Sequence, residues 1–218
     1  MKTISLIIPA RNEAENIGQV LKVVCEVKEI NEIIVVVDNC TDNTEEVAKS
    51  FGVKTLYRET SNGKGSAMIA GAEASAGEVI MFADADLINL TVEHIRKILE
   101  PVVSGKAVMS VGLRDRVMGL GFFIPKLFPM YAIGGERAMT REFFNGLIKD
   151  QNTEGFGIET VMNFTARKNN LPVAYPIMKN LHQVIKEKKW GFWKGFSGRI
   201  QLLQEVEKAR IDMKHEDK

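Results

Sequence analysis

The chain has 218 residues, of which 45% are hydrophobic and 26% charged, with a net charge of +1. That length suits one domain with a modest extension. The composition supplies an ordinary core and a soluble surface, and the charge shows no bias toward nucleic acid. The two cysteines, Cys25 and Cys40, form no CxxC pair, so the chain reads as cytosolic with reduced thiols and without a disulfide framework.

The opening MKTISLIIPARNE has too short an apolar run for a signal peptide and reads as a first strand. Its unbroken Ile4 to Ile8 run predicts cover on both faces. A helix follows, with Asn12 as its cap and Glu15 in the capping-box position. Ile17, Val20, Leu21 and Val24 recur on one face of it. IIVVVD predicts a second strand ending at Asp38, NCTDNT a turn, TEEVAKSFG a short helix ending at Gly52, and KTLY a third strand. SNGKGSAMIAGAEASAG reads as a glycine loop and an alanine-rich helix that stops near Gly77. The strand from Val79 to Ala83 runs into Asp84 and Asp86. Thr91 then caps VEHIRKILEPVVSG, and AVMSVG is a further strand. Strand and helix alternate to residue 112, which predicts a mostly parallel sheet with helices on both faces.

Beyond residue 112 the pattern loosens. VMGLGFFIPKLFPMYAIGG is broken by Pro125, Lys126 and Pro129 and will not span a bilayer as a regular helix. TREFFNGLI reads as a helix capped by Thr140, EGFGIETVMNFTARKNN as a helix opened by glycines, and LPVAYPIM as extended. FSGRIQLLQEVEKAR reads as an amphipathic helix before a frayed end.

In doubly wound sheets, ligands bind beyond the carboxyl ends of the strands. Arg11, Asn12 and Glu13, then Asp38 and Asn39, then Asp84 and Asp86 all fall there. PARNEAENIG lacks the GxGxxG of a dinucleotide site, and NGKGSA lacks the spacing of a P-loop. Lys64, between two glycines at a helix start, suits an anionic ligand or is a solvated surface lysine. Asp84 and Asp86 flank one residue, so an extended segment points both carboxylates to one side. Two such oxygen donors suit Mg²⁺ or Mn²⁺; a surface turn is the alternative.

IIPARNEAENI, VVVDNCTDNT, NGKGSAM and FADADL stand in the order and spacing of the family-two nucleotide-sugar glycosyltransferases with the GT-A fold, and the chain resembles that family. GGERAMTREFF, GFGIE and NLHQV are similar to the second half of the glucosyl-3-phosphoglycerate synthases and related mannosyl- and glucosyltransferases, so the resemblance runs to about residue 185. It implies a Rossmann-like α/β fold with a mostly parallel central sheet and a C-terminal acceptor-side extension. It also implies metal-dependent transfer of a hexose from a UDP- or GDP-sugar. Residues 1–112 would hold donor and metal, and residues 113–218 the acceptor.

By the same resemblance Pro9, Ala10, Arg11 and Glu13 would line the base and ribose pocket. Asp38 would contact base or ribose, and Lys64 the diphosphate. Asp84 would touch ribose or metal-bound water, Asp86 would ligate Mg²⁺ or Mn²⁺ directly, and His182 matches a third ligand. Glu159 or Glu136 would be the carboxylate at the acceptor hydroxyl, as base or as orienting group. Arg114 and Arg116 would meet an acceptor phosphate or carboxylate, with Arg137 in the same region; a Glu136–Arg137 ion pair on a turn is the structural alternative. Three accounts remain for the aromatic and basic residues of FFIPKLFPMY and KEKKWGFWKGF. The phosphorylated acceptor at Arg114 and Arg116 is the first; the second puts these residues at the inner membrane face as a peripheral contact for a polyprenyl-phosphate acceptor; in the third they simply pack the second half against the sheet. A homodimer stays open. A nucleotidyltransferase is the rival enzyme, against which stands a first loop with one arginine and no glycine; a binding module without catalysis would not need the charges at 64, 84 and 86.

Overall fold

The computed structural model describes residues 2–114, 135–149 and 157–184. The elements run β1 (Ile4–Ala10), α1 (Ile17–Val24), β2 (Glu32–Asp38), α2 (Thr44–Ser50), β3 (Lys54–Arg58), α3 (Lys64–Glu73), β4 (Val79–Phe82), β5 (Leu87–Ile88), α4 (Val92–Val103), β6 (Met109–Val111) and β7 (Leu113–Arg114). After the gap come β8 (Arg137–Thr140), α5 (Arg141–Lys149), α6 (Ile158–Lys168), β9 (Val173–Ala174), β10 (Ile177–Met178) and β11 (His182–Gln183).

Seven strands form one sheet in the order β3-β2-β1-β4-β8-β6-β9. β1 to β4 pair in parallel, while β8 runs antiparallel to both β4 and β6. β9 is parallel to β6, so β8 is the reversed strand of a mostly parallel sheet. The apolar runs earn their cover by alternation: Leu6 and Ile8 face one layer and Ile7 the other. One layer packs α1 and α4 on the sheet through Ile17, Leu21, Ile95 and Ile98. The opposite layer packs α3, α5 and α6 through Met68, Phe144 and Met162. Each such side chain, fully buried, contributes about 1.5–3 kcal/mol. At Gly71, α3 lies so close to β1 and β2 that a Cβ would overlap Ile7 and Val36 side chains.

Thr91 caps α4 by accepting from the His94 N–H at 3.3 Å, and Thr140 accepts from the Phe143 N–H at 3.3 Å at the start of α5. Asn12 does not cap a helix. It adopts φ 54°, which Asn tolerates, and α1 begins at Ile17 after Asn16. The Asn12 side chain instead accepts from the Thr41 N–H at 2.8 Å. With Glu13 N–H on Thr44 Oγ1 at 2.8 Å and Ala14 N–H on Asp42 Oδ2 at 3.0 Å, it straps the loop after β1 to the loop after β2. Helix α3 ends at Glu73, short of Gly77. Arg116, the 115–134 aromatic stretch and the C-terminal amphipathic helix expected from sequence lie outside the described residues. Among the described residues no helix is long and apolar enough to cross a membrane.

Candidate active site

A cleft of about 240 Å³ opens beyond the carboxyl ends of β1, β2 and β4. Pro9, Ala10, Arg11, Glu13, Asp38, Lys64, Asp84 and Asp86 all line it, so the strand-end residues picked from sequence share one site. Ser61 and Gln183 line it too and were not anticipated.

One end is built on Asp38, buried at the tip of β2. Its Oδ1 accepts from Arg58 Nη1 at 3.0 Å, and its Oδ2 accepts from the Ser61 hydroxyl. Arg58 also donates to Ser66 Oγ at 2.7 Å, and Arg11 Nη1 reaches Ser61 Oγ at 3.4 Å. A carboxylate held this way has a fixed orientation toward a ligand's N–H or O–H groups.

At the other end the chain leaves β4 at Phe82 and turns at Ala85 and Asp86. The two aspartates are therefore brought together by a turn and by a shared partner, where the sequence had suggested strand alternation. That partner is Gln183 on β11, whose Nε2 donates to Asp84 Oδ2 at 3.0 Å and Asp86 Oδ1 at 2.7 Å. Lys64, the first residue of α3, places Nζ 2.6 Å from Asp84 Oδ1 and 2.9 Å from Glu159 Oε1. Desolvation opposes the Lys64 charge, but Asp84 and then Glu159 outweigh it and hold its pKa above the ordinary lysine value. Burial would raise Glu159, yet Lys64 and Arg137 hold it below the usual carboxylate range.

Arg114 forks onto Glu136, with Nη2 to Oε1 at 2.5 Å and Nε to Oε2 at 3.1 Å, and Nη2 lies 3.4 Å from Asp84 Oδ2. Glu136 is fully buried; that burial, and then Asp84, push its pKa up against the pull of Arg114. Arg137 is fully buried rather than facing the cleft: Nη1 donates to the Glu159 carbonyl at 3.2 Å, and Nη2 lies 4.0 Å from Glu159 Oε2. Its ion-pair partner is thus Glu159, and Glu136 pairs with Arg114. Among these described groups three cations (Lys64, Arg114, Arg137) face four carboxylates (Asp84, Asp86, Glu136, Glu159).

The site suits a divalent cation. Asp84 and Asp86 supply hard oxygen donors on the cleft wall, and the carboxylates outnumber the local cations. His182 opposes Ile88 in the β5–β11 ribbon, and the Val184 N–H donates to the Asp86 carbonyl at 3.2 Å, which places His182 one strand from Asp86. Its Nδ1 is buried without a hydrogen-bond partner among the described residues. In that set no three His, Cys, Asp or Glu side chains stand ready to enclose an ion. A cation held there would take part of its shell from ligand oxygens and water.

The chain belongs to glycosyl transferase family 2, whose profile matches residues 5–167. It is 31% identical over 119 residues to the glucosyl-3-phosphoglycerate synthase of Mycolicibacterium paratuberculosis, covering 50% of this chain and 36% of that one. It is 32% identical over 117 residues to the dolichol-phosphate mannosyltransferase of Pyrococcus furiosus, covering 51% of this chain and 33% of that one. The matched part spans about a third of the length of these curated relatives. The fold is that of the glucosyl-3-phosphoglycerate synthase of Mycobacterium tuberculosis, solved with Mn²⁺, uridine diphosphate and glucosyl-3-phosphoglycerate. That superposition has a TM-score of 0.69 at 24% identity and covers 84% of this chain and 72% of the other.

Proposed function

We propose that this chain transfers a hexose from a nucleoside diphosphate sugar to a small phosphorylated acceptor, with Mg²⁺ or Mn²⁺ at Asp84 and Asp86. The observation that carries this is the shared cleft, which the buried Asp38, the Lys64 ammonium at a helix start and the paired Asp84 and Asp86 all line. Pro9, Ala10, Arg11 and Glu13 wall the nucleoside end, and Asp38 accepts from its base or ribose. Lys64 meets the diphosphate, helped by the amide groups at the start of α3. As the bond from the anomeric carbon to the diphosphate oxygen breaks, negative charge grows on the leaving group, and the Lys64 ammonium is already in place for it. A cation bound at the aspartates supplies Lewis-acid stabilisation of the same charge. His182 is proposed to complete its protein ligands.

Glu159 is the carboxylate proposed to face the acceptor hydroxyl, because it borders Lys64 and stays ionised. Glu136 fixes Arg114, whose guanidinium is the proposed contact for the acceptor's phosphate together with Arg116. Arg137 supports Glu159 from behind. Residues 1–112 thus carry the donor, and the remainder the acceptor. A polyprenyl-phosphate acceptor at a membrane surface is the second reading, favoured by the likeness to the dolichol-phosphate mannosyltransferase.

The test is thermal unfolding with UDP, GDP and their glucose and mannose conjugates, with and without Mn²⁺. A true donor at about a hundred times its Kd stabilises by ~2.7 kcal/mol, a rise of several degrees. A Mn²⁺-dependent shift is expected for one base series. No shift with any of them overturns the proposal. Product formation on 3-phosphoglycerate as against polyprenyl phosphate in vesicles then separates the two acceptors.

A further inference from the structure

Gln183 is held in one orientation. Its Nε2 faces the two aspartates at 3.0 and 2.7 Å, while its Oε1 accepts from Arg114 Nη1 at 2.8 Å. Arg114 in turn is anchored on the buried Glu136 at 2.5 and 3.1 Å. A flipped amide would set its oxygen against two carboxylates and its NH₂ against a guanidinium, repulsive at both ends. The amide therefore presents its positive end between Asp84 and Asp86. Lys64 and Arg114 already face Asp84, and the amide adds a donor shared by both aspartates of this partly buried cleft.

We propose that Gln183 is a placeholder for the divalent cation, an inference that rests on the reading of Asp84 and Asp86 as its ligands. With no cation bound, the amide keeps the acid pair together and satisfied. Loading the cation requires Nε2 to turn away from Asp86, and that displacement lowers the affinity of the free chain. The donor diphosphate adds its own oxygens to the cation and offsets the displacement, so cation and donor are taken up together. Gln183 acts here as a positioning residue whose displacement weakens the cation in the free and the nucleotide-bound chain alike. A purely structural amide would predict the opposite sign, since its loss would loosen the aspartates and weaken the cation.

The experiment is a Mn²⁺ titration of the full chain, with free ion read by electron paramagnetic resonance. It compares wild type, Gln183→Met, Gln183→Ala and Asp86→Ala, each alone and with UDP or GDP. Methionine keeps the length of glutamine and removes its donors; the alanine variant serves if methionine impairs folding, with circular dichroism as the check. Without nucleotide, loss of the amide is expected to tighten Mn²⁺ about tenfold, equal to ~1.4 kcal/mol. With nucleotide present, Mn²⁺ should tighten by about the same factor, because the amide has to leave Asp86 in either state. Binding that depends on Asp86 but is unchanged or weaker in the Gln183 variants overturns the placeholder and leaves the cation reading standing. Binding that ignores Asp86→Ala, or is absent with and without nucleotide, overturns both.

Discussion

Replacing Lys64 with methionine separates what the residue does for stability from what it does for the reaction. Lys64 bridges two carboxylates of the cleft, 2.6 Å from Asp84 and 2.9 Å from Glu159. Yet 45% of its side chain is open to solvent, so each pair is screened and contributes at most ~1 kcal/mol. Its two partners are not stranded by the change. Asp84 keeps Arg114 at 3.4 Å, and Glu159 keeps Arg137 at 4.0 Å. Lys64→Met should therefore lower stability by roughly 1 kcal/mol, or about 2–4 °C in Tm for a chain of this size. Its effect on transfer should be far larger. Removing one donor aimed at developing charge typically costs ~3–4 kcal/mol, a hundred- to a thousandfold in kcat. Denaturant unfolding with and without donor, beside initial rates at saturating donor, measures both. A kcat within threefold of wild type would refute the reasoning, as would a stability loss above ~3 kcal/mol with activity per folded molecule unchanged.

Gly135→Ala should act on the site from behind. A Cβ there would overlap both carboxylate oxygens of Asp84, so Asp84 must shift, and activity should fall about a hundredfold while the fold persists; rates and Tm together check it. Ser110→Ala should leave stability unchanged or raise it by about 1 kcal/mol, because the Ser110 hydroxyl is buried without a partner among the described residues; denaturant unfolding would show it. Burial raises Glu32 and Asp42, but bonds from Ala76 and Ser5 to the first, and from Thr44 and Ala14 to the second, outweigh it and lower both pKa values. Groups lowered on folding stabilise above their unfolded pKa values, about 4, and lose that as pH falls through the folded values. Unfolding between pH 6 and 3 should show stability falling toward the acid end, and Glu32→Gln with Asp42→Asn should flatten that fall.

The parts of this structure that depend on local pattern were readable in the sequence. Ile4 to Ile8 and Ile33 to Val37 are unbroken apolar runs because both sheet faces are covered, and Thr91 and Thr140 cap because a hydroxyl there has a free N–H to accept from. Asp38, Asp84, Asp86 and Lys64 could be found by one positional rule about strand ends. The same rule would have marked Arg58, the last residue of β3. What the sequence concealed is set by long-range packing. β8 enters between β4 and β6 from more than fifty residues downstream of β4, and nothing in GGERAM signals a reversed central strand. Asn12 offered a capping box, but a bond to Thr41 in another loop claimed its side chain. Gln183 gave one signal, its place beside His182, and only the β5–β11 ribbon shows that its amide meets both aspartates.

A crystal of the full chain soaked with Mn²⁺ and UDP or GDP tests the central claim most directly, through the anomalous signal of manganese. The expected map has a peak at bonding distance from Asp86, with the diphosphate between that peak and Lys64 and the base toward Asp38. Nucleotide bound in the cleft with no such peak, or manganese bound away from residues 84 and 86, would contradict it.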